Sequence, residues 1–245
     1  MKSSGKLIVM NWKCNPASVK EVRPLVSASD SADVVLCPPA PFLSLVGGLL
    51  KTASLGAQDG YLGEGAFTGE YSFKQLKAVG VRYAIIGHSE RRGMFGETSE
   101  GVSEKTGAAL DAGMVPIVCV GEKKRKNISD AVRQVVAQME SSLSGVPKDK
   151  AGKIVLAYEP VWAISTTVGG KGNASLSEME PVMLAMAEKF SELFGKKAKV
   201  LYGGSVNPEN AGIYAACPSV QGVLVGGASI NPKKAATVIK LMQSK

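Results

Sequence analysis

Five short stretches carry residue types that could work together chemically: Asn11-Trp12-Lys13, Gly87-His88-Ser89-Glu90-Arg91-Arg92, Glu159-Pro160-Val161-Trp162, Gly203-Gly204-Ser205-Val206 and Gly226-Gly227-Ala228-Ser229. Glycine lets backbone N–H groups approach an anion closely, so the last two stretches suit a phosphate monoester; each alone could equally be a tight turn. Lys13 needs an anionic partner if it is buried, unless its stem lies along apolar surface with the head in water. His88 is the only histidine of the chain. A lone histidine is often structural, but at a helix N-terminus the dipole lowers its pKa, and a neutral imidazole can polarise a carbonyl by donating a hydrogen bond. Glu159 reads as a desolvated carboxylate of raised pKa, with a structural salt bridge as its alternative. A carboxylate base, a neutral donor, a fixed cation and a phosphate cradle suit proton abstraction beside a carbonyl through an enediolate. The sequence shows neither a metal-ligand cluster nor a nucleotide fingerprint, so the expected cofactor and metal content is none.

The elements that must position these residues follow from periodicity. Short runs rich in Val, Ile and Leu recur at Leu7–Met10, Val34–Cys37, Ser54–Ala57, Tyr83–Ile86, Val115–Val120, Ile154–Tyr158, Val200–Tyr202 and Val223–Val225. Between them the pattern turns helical, as in Ala131-Val132-Val135-Val136-Met139 and Met183-Leu184-Met186-Ala187-Phe190-Leu193-Phe194. Strands apolar on both faces and alternating with helices form a parallel sheet. Asn207-Pro208-Glu209 and Asn231-Pro232-Lys233 read as helix starts, and Gly80, Gly113 and Gly195 as helix ends. Eight units in 245 residues come to roughly 31 residues each, the size of one repeat in a closed barrel of about 250 residues. The fold class expected is α/β, a single-domain (β/α)8 barrel over 1–245, with an open doubly wound sheet as the alternative. In such a barrel chemistry sits at the carboxyl ends of the strands, where all five stretches fall.

Composition bounds the partners. The net charge is +8, but aromatics are 6% and the basic residues are scattered, which favours a small dianionic ligand over nucleic acid. The densest basic cluster, Lys123-Lys124-Arg125-Lys126, reads as a solvated loop. The early apolar run, Leu7–Met10, is too short for a signal peptide's core or a membrane span. Cysteines 14, 37, 119 and 217 form no C-x-x-C pair, consistent with reduced thiols and a cytoplasmic location.

In order and spacing, Asn11-Trp12-Lys13, Ile86-Gly87-His88-Ser89-Glu90-Arg91-Arg92, Tyr158-Glu159-Pro160-Val161-Trp162-Ala163-Ile164, Tyr202-Gly203-Gly204-Ser205 and Leu224-Val225-Gly226-Gly227-Ala228-Ser229 resemble the triosephosphate isomerase family. The resemblance implies interconversion of dihydroxyacetone phosphate and glyceraldehyde 3-phosphate. In it Glu159 moves the proton, His88 and Asn11 polarise the substrate oxygens and Lys13 stabilises negative charge. Glu90 is similar to the carboxylate that supports that lysine, and Tyr202 to a further supporting residue. Ser165, Ser205, Gly226 and Gly227 would hold the phosphate, and Ile164 and Leu224 would form an apolar clamp that dries the base. Gly65-Ala66-Phe67-Thr68-Gly69-Glu70 is similar to a dimerising loop, which implies a homodimer through loop 65–70. Thr68 would then reach the neighbouring active site, and Glu70 and Arg91 would pair between subunits. No nucleic-acid or membrane partner is implied.

The chain departs from the family pattern after Ile164. Ser165-Thr166-Thr167 stands where Gly-Thr-Gly is usual, followed by Val168-Gly169-Gly170 and a longer link, Lys171-Gly172-Asn173-Ala174. These changes bear on how the loop is ordered rather than on the reaction. Two other readings compete: another phosphate-binding barrel enzyme, such as a sugar-phosphate epimerase, and a non-catalytic basic barrel that binds nucleic acid. The single histidine counts against a metal-dependent epimerase, and the lack of stacking aromatics beside clustered cations counts against the second.

Overall fold

The computed structural model describes residues 5–164 and 174–244. Eight parallel strands close into a barrel in sequence order: β1 (Leu7–Asn11), β2 (Val34–Cys37), β3 (Ser54–Ala57), β4 (Tyr83–Ile86), β5 (Val115–Val120), β6 (Val155–Tyr158), β7 (Lys199–Tyr202) and β8 (Gly222–Val225). The ring is sealed where Leu7 pairs with Gly222 and Met10 with Val225. The described helices are α1 (Val19–Ser29), α2 (Leu43–Leu49), α3 (Phe73–Ala78), α4 (Ser89–Met94), α5 (Ser99–Asp111), α6 (Ile128–Ser142), α7 (Leu176–Phe194), α8 (Ala211–Ala216) and α9 (Pro232–Gln243). None of them is long and apolar enough to cross a membrane.

Two apolar layers explain why the strands carry unbroken hydrophobic runs. Because successive residues of a strand face opposite ways, one set fills the barrel and the other meets the helices. Leu7, Val9, Val35, Ile85, Ile117, Val155, Ala157 and Leu201 belong to the inner cluster. Their neighbours Ile8, Met10, Leu36, Ile86, Val118, Leu156 and Val200 belong to the outer cluster, with Val135 and Met139 of α6 and Met183, Met186 and Phe190 of α7.

Local signals set the helix ends. Asn231 caps α9 by accepting from the Lys234 N–H at 3.1 Å, with Pro232 in the first turn, where its missing N–H costs nothing. Gly80, Gly113 and Gly195 all adopt positive φ just beyond a helix, as the sequence implies. Two expectations are corrected. Asn207 accepts from the N–H groups of Glu209 and Asn210, capping a turn before α8, and the helix itself starts at Ala211. Leu184, read as part of the apolar stripe of α7, is exposed, because that stripe is narrower and is carried by Met179, Val182, Met183, Met186 and Phe190.

Candidate active site

Strand alternation aims the functional side chains. Val155 and Ala157 point into the barrel, so Glu159, two residues further, turns inward above them; Asn11 follows Leu7 and Val9 in the same way. Both end up buried. Room for Glu159 comes from glycines at the same height on the flanking strands. A Cβ at Gly121 would lie 1.7 Å from the Glu159 carbonyl oxygen, and one at Gly203 would lie 2.9 Å from Glu159 Cγ.

At the carboxyl end of β4 the chain turns directly into α4, with His88 as its N-cap. His88 Nδ1 accepts from the Glu90 N–H at 3.3 Å, so the proton of the neutral ring sits on Nε2. Nε2 in turn lies 3.0 Å from Glu159 Oε1. The other oxygen, Oε2, accepts from the Ser89 N–H at 2.8 Å, at the start of α4, where peptide N–H groups favour an anion.

This contact reverses the expected pKa directions. Burial pushes the Glu159 carboxyl up, but the adjoining His88 and the Ser89 N–H outweigh it and hold the group below its ordinary value. For His88, burial disfavours the imidazolium, yet the carboxylates of Glu159 and, more weakly, Glu90 raise its proton affinity above the ordinary value. The sequence-based expectation, a raised glutamate and a lowered histidine, treats each group alone.

Lys13 is held in a left-handed conformation, φ 53°, costing about 1–3 kcal/mol for a non-glycine residue. Its N–H donates to Asn11 Oδ1 at 3.0 Å, and its carbonyl accepts from Gln58 Nε2 at 2.8 Å. Nζ reaches Glu90 Oε1 at 2.5 Å, which provides the anionic partner that burial demands.

Above these groups opens a cavity of about 310 Å³. Asn11, Lys13, His88 and Glu159 line it together with Gly203, Gly204, Ser205, Gly226 and Gly227, and Ile164 and Leu224 add apolar wall. A single 3-10 turn, Gly227–Ile230, follows β8, and its Ser229 hydroxyl donates to the Asn11 carbonyl at 2.9 Å, tying together the ends of the paired strands β8 and β1. Ser205 Oγ donates to the Ala163 carbonyl at 2.9 Å. No group of three or more His, Cys, Asp or Glu side chains among the described residues is arranged to hold a metal ion. The arrangement offers a carboxylate, an imidazole donor and an ammonium facing a glycine-lined wall, which suits proton transfer on a small anionic carbonyl compound.

Most of the residues singled out by sequence therefore meet at one cavity. Glu90 meets it through Lys13, and Tyr202 lies fully buried in the outer layer against Tyr214, with its hydroxyl beside Gly204. Thr68 and Glu70 do not join it: they are exposed on loop 61–72, and Arg91 pairs with Asp59 of its own chain at 2.7 Å. Ser165 and the departures up to Asn173 lie outside the described residues. Sequence reasoning missed Ser89, which anchors the carboxylate, and Gln58, which ties down Lys13. Ser89 carried a usable signal, since the first N–H of a helix beside a buried carboxylate is an anion receptor; Gln58 carried none.

Comparison with known proteins agrees with this geometry. The family described as triosephosphate isomerase matches residues 6–242. The chain is 40% identical to the triosephosphate isomerase of Solibacter usitatus over 94% of this chain and 96% of that one. It is 37% identical to that of Dictyoglomus turgidum over 93% and 96%, and 40% identical to that of Rhodopirellula baltica over 97% and 98%.

Proposed function

The chain belongs to the triosephosphate isomerase family, and from that premise we propose that Glu159 is the base that moves a proton between two carbons of a triose phosphate. The protein is an isomerase acting on dihydroxyacetone phosphate and glyceraldehyde 3-phosphate. With substrate in the cavity, Glu159 releases the Ser89 N–H and His88 and takes a proton from the carbon next to the carbonyl. The electrons of that C–H bond form the enediolate double bond, and the carbonyl pair moves onto oxygen. His88 Nε2–H and Asn11 donate to the two substrate oxygens while Lys13 offsets the charge. Glu159 then returns the proton to the neighbouring carbon, while His88 Nε2 gives its proton to the former carbonyl oxygen and takes the proton of the original hydroxyl, so that carbonyl and hydroxyl exchange places and the ring ends as it began. Gly226, Gly227 and the Ser205 backbone receive the phosphate, with Ser165 as a further donor, and Ile164 and Leu224 keep water from the base. Glu90 and Tyr202 support this arrangement from behind.

The observation that carries this reading is the His88–Glu159 contact at 3.0 Å in the cavity that the glycines also line. A coupled assay of glyceraldehyde 3-phosphate isomerisation tests it. Turnover unchanged by a chelator is the expected result, and an inactive or chelator-sensitive protein would overturn it.

The same reading makes the protein a homodimer that works in the cytoplasm. Phe67 and Tyr71 on loop 61–72, together with Met94 and Phe95 after His88, are large hydrophobics left exposed on the single chain, which supports a partner covering them. Thr68 then enters the partner's site beside Asn11 and His88, and Glu70 pairs with Arg91 across the interface. The cysteines, all free, suit a reducing compartment. Specific activity should fall on dilution; constant activity in a sample shown by sedimentation to be monomeric would refute the dimer.

A further inference from the structure

The basic run Lys123-Lys124-Arg125-Lys126 is exposed, as a solvated loop should be, yet one of its four side chains is engaged on two sides. The Arg125 guanidinium lies 4.8 Å from the centre of the Trp162 ring. Its Nε also donates to Glu178 Oε1 at 2.7 Å, and its terminal nitrogen contacts the same oxygen. Glu178 is itself fixed, because its other oxygen accepts from the Ser175 N–H at 2.9 Å in the capping box that starts α7. On its far edge, Trp162 Nε1–H donates to Glu122 Oε1 at 2.6 Å. That buried oxygen also accepts from the Tyr158 hydroxyl at 3.0 Å, and the Glu122 carbonyl accepts from the Val161 N–H at 3.1 Å. Tyr158 precedes Glu159 and Trp162 follows it by three residues, so this network grips the turn on both sides of the base.

We propose that Arg125 is a positioning residue that clamps Trp162 against Glu122 and thereby holds the turn 158–162 that aims Glu159. The proposal rests on Glu159 being the base. Arginine suits the position because a planar guanidinium can stack on an indole and meet a carboxylate at its edge at the same time, whereas a lysine ammonium is a hydrated point charge. Lys124, one residue away, has no ion-pair partner among the described residues and stands as the natural control.

The test compares Arg125→Ala, Arg125→Lys and Lys124→Ala in the full chain. With two tryptophans in the sequence, the indole region of a ¹H–¹⁵N spectrum holds two signals, and that of Trp162 is identified by its loss in Trp162→Phe. In Arg125→Ala the Trp162 signal should shift and its N–H exchange faster. The kcat should fall roughly threefold with KM unchanged, the size expected when an exposed cation–π contact is lost. Arg125→Lys should behave like Arg125→Ala, and Lys124→Ala like the wild type. An unmoved indole signal in Arg125→Ala overturns the proposal even if kcat falls, because the effect would then bypass Trp162; full rescue by lysine overturns it too. The indole readout needs no substrate. A failed isomerase reading, seen as an inactive wild-type protein, is thus distinguished from a failed clamp.

Discussion

At the ends of β1, β4 and β6 the atoms proposed to do the chemistry belong to side chains, Lys13, His88 and Glu159, each held by a polar partner. After β7 and β8 the wall is richest in glycine, Gly203, Gly204, Gly226 and Gly227, with the Ser205 hydroxyl turned to another use and Asn207 and Lys234 also lining the cavity. The first side is strained and charge-coupled: Lys13 sits at φ 53° and the carboxylate of Glu159 is shared between an imidazole and a helix N-terminus. The second carries a single titratable side chain among its lining residues, Lys234. A group that must move a proton has to be aimed within a fraction of an ångström, whereas a wall that receives an anion needs only peptide groups and the absence of Cβ atoms. One side should therefore be sensitive to atoms removed, and the other to atoms added.

Removal on the proton-transfer side gives the largest expected effect. Glu159→Asp retracts the carboxylate by one methylene from the carbon it must reach, and kcat should fall about a thousandfold while KM stays nearly constant. Steady-state kinetics in both directions would measure it. A near-normal kcat would mean that this side is not where the proton moves.

Addition on the glycine side should act through binding instead. A Cβ at Gly204 would lie 2.2 Å from the Tyr202 hydroxyl, inside a fully buried ring that cannot retreat. Gly204→Ala should displace the backbone proposed to meet the phosphate and raise KM roughly tenfold, with a smaller loss in kcat. Equal losses in both sides' signature parameters would dissolve the contrast.

The charge coupling is open to direct measurement because the chain has one histidine. Glu159 is the main cause that raises His88, so Glu159→Gln should lower the pKa read from the imidazole ¹⁵N signals. Stability must follow. A histidine raised in the folded state contributes stability that is complete below its ordinary value of 6.5 and is lost as pH climbs through the raised value. Glu159, lowered, contributes above its ordinary 4.5 and loses that contribution as pH falls through the lower value. The pair therefore stabilises most between about 4.5 and 6.5, and the difference between wild type and Glu159→Gln in urea melts should peak there. A flat difference across that window would mean that the two groups are not coupled.

How much of this was legible without coordinates depends on whether the cause is local. The strands could be placed because a residue buried on either face must be apolar, which writes each strand into the sequence as an unbroken run. His88 as a helix cap and Lys13 as an ammonium in need of an anion could be read for the same reason. The pKa directions could not, since they depend on Glu159 meeting a residue 71 positions away in the chain. The start of α8 is not legible from Asn207-Pro208, which caps a turn as readily as a helix, and only the packing beyond it decides. Arg125 looked like its three neighbours for a similar reason: nothing in a run of cations marks the one that finds an indole.

The smallest effect is expected at Ser205, and it probes the idea that the β7 side works through its backbone. The Ser205 hydroxyl donates to the Ala163 carbonyl at 2.9 Å, and the Ser205 carbonyl accepts from Asn210 Nδ2 at 2.9 Å, so the backbone here is held from both directions. Ser205→Ala removes the first tie and leaves the second, as well as every peptide N–H. A neutral hydrogen bond of this kind contributes about 1 kcal/mol, and half-buried groups regain part of it from water. Inhibitor affinity measured with a phosphate-bearing enediolate mimic should change by less than about threefold, and kcat by less still. If the variant instead loses affinity as severely as Gly204→Ala, the hydroxyl itself is part of the anion cradle. The β7 wall would then resemble the β4 side, with side chains setting its chemistry.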